Sequence, residues 1–192
     1  MKHIGLFGGT FDPPHIGHLM IAQEVQVACQ LDEIWFIPAR KPPHKQHKET
    51  TEGKHRLRMI ELATKHNPLF NVNEIEFEHD LSYTVDTVTM LQEKWPEYTF
   101  SFIIGADMVE GLAKWKDIDR LISKVQFIVA KRPGYCLRSV YPLKEVDTPE
   151  IALSSTWLRK RLGTKKPVKY MLCEEVLSYI KEHDLYVQLK EG

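Results

Sequence analysis

Apolar residues along the chain cluster in short runs, with stretches of helical spacing between them. Residues 3–7 (HIGLF), 33–38 (EIWFIP), 71–78 (NVNEIEFE), 99–105 (TFSFIIG) and 125–130 (VQFIVA) read as strands. Residues 18–29 read as a helix with Leu19, Ala22, Val25 and Cys29 turned inward. Two further helices are expected over 54–66 and 85–95, the latter stopped by Pro96. Strands alternating with helices predict βαβ units, and right-handed crossovers then cover both faces of a mostly parallel sheet. Ligands of such sheets sit at the carboxyl ends of strands, near the point where the strand order reverses. Beyond residue 150 the pattern turns helical, in SSTWLRKRL and CEEVLSYIKEHD. There is no internal repeat, no low-complexity tract and no linker long enough to divide the chain.

Composition narrows the class. The chain has 192 residues, 43% apolar and 27% charged, which is ordinary for a globular protein able to bury a core without disulfides. Formal net charge is zero, so no global field draws the molecule to nucleic acid or to an anionic membrane. Cys29, Cys136 and Cys173 lie far apart, which suits neither a disulfide framework nor a CxxC metal knuckle. A reducing cytoplasm is therefore the expected compartment. The first apolar run is short and soon meets Asp12, Pro13, Pro14 and His15, so it reads as a strand and not as a secretory leader. No apolar stretch reaches the length of about 18 residues that a membrane span needs.

The chemistry concentrates in IGLFGGTFDPPHIGH, residues 4–18. A strand, a glycine pair, a turn and a helix make the layout of a phosphate cradle. Gly8 and Gly9 let backbone N–H groups approach a ligand, and the helix N-terminus adds unpaired donors and partial positive charge. The stretch is neither GxGxxG nor a Walker loop. Its distinctive feature is His15 and His18, three residues apart on one helical face, with Gly17 between them leaving room for a ligand against the backbone. Two imidazoles there can donate to phosphate oxygens whose charge grows in a transition state. The plainer alternative is that one histidine caps the helix and the other packs; a metal site would need a third ligand. A second phosphate element is LSSTWLRKRL, residues 153–162. Ser154 or Ser155 can cap that helix; Ser155, Thr156 and the helix amides can hold phosphates, and Arg159 can reach them as a bidentate donor. Gly105 and Asp107 fall at the carboxyl end of the fourth strand, where Asp107 suits either a ligand or a helix cap. Trp115, flanked by lysines, suits either ring stacking or the core. Thr84 opens a helix whose amides can bind a carboxylate. The basic loop 40–48, with His44 and Lys45, and Arg132 after the fifth strand, are candidate anion partners.

GGTFDPPHIGH resembles the first motif of the nucleotidyltransferase superfamily that shares its HIGH element with class I aminoacyl-tRNA synthetases. PPHK (42–45), SYTVDT (82–87), FIIGADM (102–108), KW (114–115), KRPG (131–134) and SSTWLRKRL (154–162) follow in order, and the whole is similar to bacterial nicotinate mononucleotide adenylyltransferases. The resemblance implies a Rossmann-like three-layer α/β fold, with a mostly parallel sheet and a small C-terminal helical segment. It also implies one nucleotidyltransferase domain over 1–192, with a core over 1–150 and a helical part over 151–192. It implies adenylyl transfer from ATP to nicotinate mononucleotide, with Mg²⁺ bound mainly through ATP phosphates and no protein metal site. His15, His18 and Arg159 would be catalytic. Gly8, Gly9, Thr10, Phe11, Gly105, Asp107, Ser155 and Thr156 would join them around ATP. His44, Lys45, Thr84, Trp115 and Arg132 would hold the mononucleotide, Trp115 against its ring. Relatives are often dimers, which puts a homodimer among the expected assemblies. One departure is Lys116, where many relatives carry an aromatic residue. A pantetheine-phosphate or cytidylyl transferase of the same superfamily, or a nucleotide sensor without turnover, are the competing readings. The synthetase reading fails on length and for want of a KMSKS-like loop.

Overall fold

The computed structural model describes residues 1–40, 50–79, 83–132, 134–135 and 137–187. Among these, six strands form one sheet: β1 (His3–Gly9), β2 (Glu33–Pro38), β3 (Phe70–Val72), β4 (Thr99–Gly105), β5 (Gln126–Ala130) and β6 (Leu143–Val146). The helices are α1 (Ile16–Cys29), α2 (Gly53–Thr64), the single-turn α3 (Ile75–Glu78), α4 (Thr84–Lys94), α5 (Ile118–Lys124), α6 (Ser155–Gly163) and α7 (Glu174–Glu182). The sheet order is β3-β2-β1-β4-β5-β6 and every pairing is parallel. This is the doubly wound Rossmann arrangement, and the expected α/β class holds.

Strand periodicity builds the layers. Ile4 and Leu6 of β1, Phe100, Phe102 and Ile104 of β4, and Phe127 and Val129 of β5 share one core with Val85, Val88 and Leu91 of α4 and Leu121 of α5. The alternate residues Phe7, Ile103 and Ile128 face the other way, onto Ala22 and Val25 of α1 and Ile60 of α2. A sheet covered on both faces needs apolar strands throughout, which is why its strands read as continuous runs. Met59 of α2 turns away from the sheet into a third cluster with Leu158 of α6 and Val176 and Ile180 of α7. The C-terminal helices are thereby anchored on α2.

Three expectations need correction. Residues 71–78 are not one strand: β3 ends at Val72 and α3 follows. The Asn73 side chain accepts a hydrogen bond from Ile75 N–H at 3.1 Å, a local turn that breaks the extended chain. The alternation of Ile75 and Phe77 with glutamates imitated a strand. β6 carried no strand signal, because it is an edge strand with exposed Lys144 and Glu145. And α1 starts two residues earlier than expected, so both histidines belong to its first turn; Leu19 is only partly buried.

Candidate active site

The strand order reverses between β1 and β4, and the crevice beyond their carboxyl ends is a cavity of about 340 Å³. Gly8, Gly9, Phe11, His15 and His18 line it from the β1–α1 turn. Gly105 and Asp107 line it from β4, Arg132 from the end of β5, and Ser155 and Thr156 from α6. The sequence scatters these groups over more than a hundred positions, and the topology brings them to one place.

His15 is the N-cap of α1 and His18 its third helical residue. The His15 backbone N–H donates to His18 Nδ1 at 3.1 Å. Because Nδ1 accepts, a neutral His18 carries its proton on Nε2. The two rings stack with centroids 3.7 Å apart and planes 24° apart. Phe11 backs His18 edge-on at 5.1 Å and is itself 2% exposed. Its φ of 51° is left-handed, a conformation held by its packing against Phe7 and Phe36. His15 is 7% exposed, and among the described residues its Nδ1 has no hydrogen-bond partner. Burial, and then the charge of Arg132, pull its pKa down to about 4. The free protein therefore holds His15 neutral at pH 7.

Gly8, Gly9 and Gly17 all line the cavity, and two of them also make room for neighbouring rings. A Cβ on Gly17 would stand 3.0 Å from His15 Nδ1, and a Cβ on Gly9 would stand 2.8 Å from the Phe11 ring. Gly17 itself lines the cavity, so its lack of a side chain leaves room both for the His15 ring and for the cavity. Asp107 is exposed at the cavity in a short 3₁₀ turn whose cap is Gly105, so it is neither a buried charge nor a cap.

The second element is joined to the first. Ser154 caps α6 by accepting from Trp157 N–H at 3.2 Å, which leaves Ser155 for other work. Ser155 Oγ donates to the Pro13 carbonyl at 2.9 Å. Arg159 Nη1 donates to the Asp12 carbonyl at 2.7 Å, and its Nη2 to Thr156 Oγ1 at 3.3 Å. Thr10 and Arg159 are not among the lining residues, and Arg159 borders the cavity through its bond to Thr156. Arg56 of α2, 2% exposed, donates from Nη1 to Thr10 O and from Nε to Thr51 O, both at 2.9 Å. Asp12, also 2% exposed, accepts from Tyr186 Oη at 2.6 Å and from Thr51 N–H at 3.3 Å. Sequence reasoning missed Arg56, Asp12 and Tyr186 as supports. Asp12 lay inside the opening motif; nothing local marks the other two.

Two of the expected acceptor residues, Trp115 and Thr84, are not among those lining the cavity. Trp115 packs edge-on against Phe102 at 5.9 Å and Phe127 at 6.0 Å, on the α4–α5 face of the sheet. Thr84 opens α4, but the N-cap is Tyr83 and no side chain caps the helix. Lys116 ties the two segments: its Nζ lies 3.1 Å from Asp86 and 4.3 Å from the Tyr83 ring centroid. Arg132, also expected at the acceptor, lines the cavity with His15 and donates to the Ile151 carbonyl at 3.0 Å. His44 and Lys45 lie outside the described residues.

A mononucleotide cradle at the switch point of a parallel sheet, with imidazoles at one helix start and hydroxyls at another, defines a nucleotidyltransferase-type site. The comparisons agree. The cytidylyltransferase-like family model matches residues 6–161. Over 187 residues the chain is 48% identical to the nicotinate-nucleotide adenylyltransferase of Bacillus subtilis, covering 97% of this chain and 99% of that one. It is 51% identical to an Oceanobacillus iheyensis protein named "Probable nicotinate-nucleotide adenylyltransferase", covering 97% of each. The solved Plasmodium falciparum nicotinic acid mononucleotide adenylyltransferase complexed with NaAD shares the fold, with a TM-score of 0.80 at 23% identity over 97% of this chain and 98% of that one. The chain belongs to the cytidylyltransferase-like family and, within it, to the nicotinate-nucleotide adenylyltransferases. No helix of the described residues is long and apolar enough to cross a membrane.

Proposed function

We propose that this protein transfers the adenylyl group of ATP to nicotinate mononucleotide, giving nicotinate adenine dinucleotide and pyrophosphate, a step of NAD biosynthesis. The observation that carries this reading is the cavity that joins the His15–His18 turn to the α6 hydroxyls, in a chain about half identical to nicotinate-nucleotide adenylyltransferases over nearly its full length. The acceptor 5′-phosphate attacks the α-phosphorus of ATP; one P–O bond forms there and the bridge to the β-phosphate breaks. A phosphate oxygen is already a nucleophile, so the site needs no base. Its task is positioning and charge stabilisation. His18 donates from Nε2 to an α-phosphate oxygen as charge builds. His15, neutral in the free protein, contributes a hydrogen bond, and Arg132 contributes the positive charge. Thr156, the α6 amides and the remaining N–H groups of Arg159 receive the departing pyrophosphate. Trp115 and the α4 N-terminus take the pyridine end, with His44 and Lys45 serving the acceptor phosphate.

Asp107 is the one carboxylate among the described residues lining the cavity, and no group of three His, Cys, Asp or Glu side chains gathers among the described residues. That donor set suits Mg²⁺ held through ATP oxygens and water. Bound there, the ion would neutralise phosphate charge. The free thiols Cys29 and Cys173 are in keeping with a reducing cytoplasm.

The test is pyrophosphate release from ATP and Mg²⁺ with nicotinate mononucleotide, nicotinamide mononucleotide or phosphopantetheine. Release with nicotinate mononucleotide, with the dinucleotide seen by mass, is the expected result. Release with phosphopantetheine alone would replace the acceptor assignment. No release with any of them would move the protein to cytidylyl transfer or nucleotide sensing.

A further inference from the structure

The turn between β1 and α1 is held from behind by groups from three distant parts of the chain. Arg56 holds the Thr10 carbonyl, Arg159 the Asp12 carbonyl and Ser155 the Pro13 carbonyl. The Asp12 side chain is held separately, by Tyr186 Oη at 2.6 Å and Thr51 N–H at 3.3 Å. Asp12 is buried, follows left-handed Phe11, whose ring backs His18, and precedes the N-cap His15 by three residues. The carboxylate therefore sits inside the turn that carries both histidines.

Tyr186 comes from the chain just past α7, and the backbone is bent to deliver it. Asp184 and Tyr186 have φ of 48° and 68°. Left-handed backbone is rare for an aromatic residue and persists only where the surroundings fix it. Tyr186 is fixed by packing on the α2–α6–α7 cluster and by its hydroxyl, which meets Asp12 and lies 3.9 Å from Met59 Sδ. Burial and the Asp12 charge raise its pKa, so the phenol remains a donor. A second consequence follows from charge. Asp12 puts a buried carboxylate under a pocket built for phosphates. Without the Tyr186 donor, one of its oxygens would be left unsatisfied and would compete for the Arg159 guanidinium that the Asp12 carbonyl now holds.

We infer that Tyr186 is a positioning residue for adenylyl transfer: its hydrogen bond to Asp12 locks the phosphate-binding turn and leaves Arg159 to the triphosphate. The C-terminal turn is thus part of the catalytic apparatus without touching substrate. The inference rests on the adenylyl-transfer reading above.

The test is Tyr186→Phe, Asp12→Ala and the double variant, assayed for kcat and KM at least 15 °C below each melting midpoint, an interval chosen so that every variant is folded. Tyr186→Phe is expected to lower kcat about tenfold while the KM for ATP moves less than about threefold, the pattern of an interaction used in the transition state. The double variant is expected to be no slower than Asp12→Ala, because the hydroxyl acts only through that carboxylate. A lower melting point with kcat unchanged would show a merely structural tyrosine and overturn the inference, as would losses that multiply in the double variant. Should Tyr186→Phe melt too low to assay, Asp12→Glu takes its place. It keeps the charge but cannot sit between Thr51 N–H and the phenol, and the same split is expected. An inactive wild type would overturn the adenylyl-transfer reading and this inference with it. An active wild type beside an unaffected variant overturns this inference alone.

Discussion

The two faces of the sheet at the β1–β4 switch point are built on opposite principles. On the α1 side, the phosphate turn is buried and over-determined: Phe11, Asp12 and His15 are each at most 7% exposed, and Arg56, Arg159 and Ser155 hold three of its carbonyls, at Thr10, Asp12 and Pro13. On the α4–α5 side, the connection between the Trp115 segment and the start of α4 is the half-exposed Lys116–Asp86 pair over Tyr83. Charge stabilisation of a reacting phosphate needs donors fixed in advance in a water-poor site. Recognising the far end of an acceptor tolerates adjustment. On the proposed function, the contrast predicts that the first side governs rate and the second substrate choice.

The sharpest way to break this comparison is His18→Ala. Losing one preorganised donor is expected to lower kcat by roughly 10² to 10³ with little change in melting temperature; a variant with full turnover would remove the imidazole from the reaction. The next effect is one of stability against pH. The His15 pKa in the folded protein is about 4, below the ordinary value of 6.5. The unfolded chain therefore takes up a proton first as pH falls. The stability carried by neutral His15 is complete above pH 6.5 and is lost progressively towards pH 4, a difference of about 3 kcal/mol. Denaturant midpoints across that range should show the slope in the wild type and a flatter profile in His15→Gln. The smallest effect is expected on the other side. Lys116→Ala removes an exposed pair and should cost no more than about 0.5 kcal/mol of stability. Its kinetic signature should be confined to the KM for the acceptor, with kcat unchanged. A kcat loss as large as that of His18→Ala would mean the α4–α5 side also sets the rate.

Much of this architecture is legible in the sequence. β1, β2, β4 and β5 were found as apolar runs because a sheet covered on both faces leaves them no polar side. The histidine pair, the glycines and the α6 hydroxyls were found because helix starts and tight turns need particular residue types at fixed spacing. β6 escaped because an exposed edge strand carries no apolar signal, and 71–78 misled because Ile75 and Phe77 alternate while Asn73 turns the chain. Arg132, expected as an anion partner after the fifth strand, does line the cavity.

Local order, strand or helix, and the chemistry available at each turn follow from spacing of two and about 3.6 residues along one segment, and the chain states these openly. Which segments meet does not follow from any such period. Arg56 reaching Thr10, Ser155 reaching Pro13 and Tyr186 reaching Asp12 arise from the stacking of α2, α6 and α7 on the sheet. So does the low pKa of His15, since burial and the approach of Arg132 exist only once the end of β5 reaches the cavity that His15 lines. The residue types were written locally; the dielectric, the partners and the fixed geometry that make them a site come from packing between segments far apart in the chain.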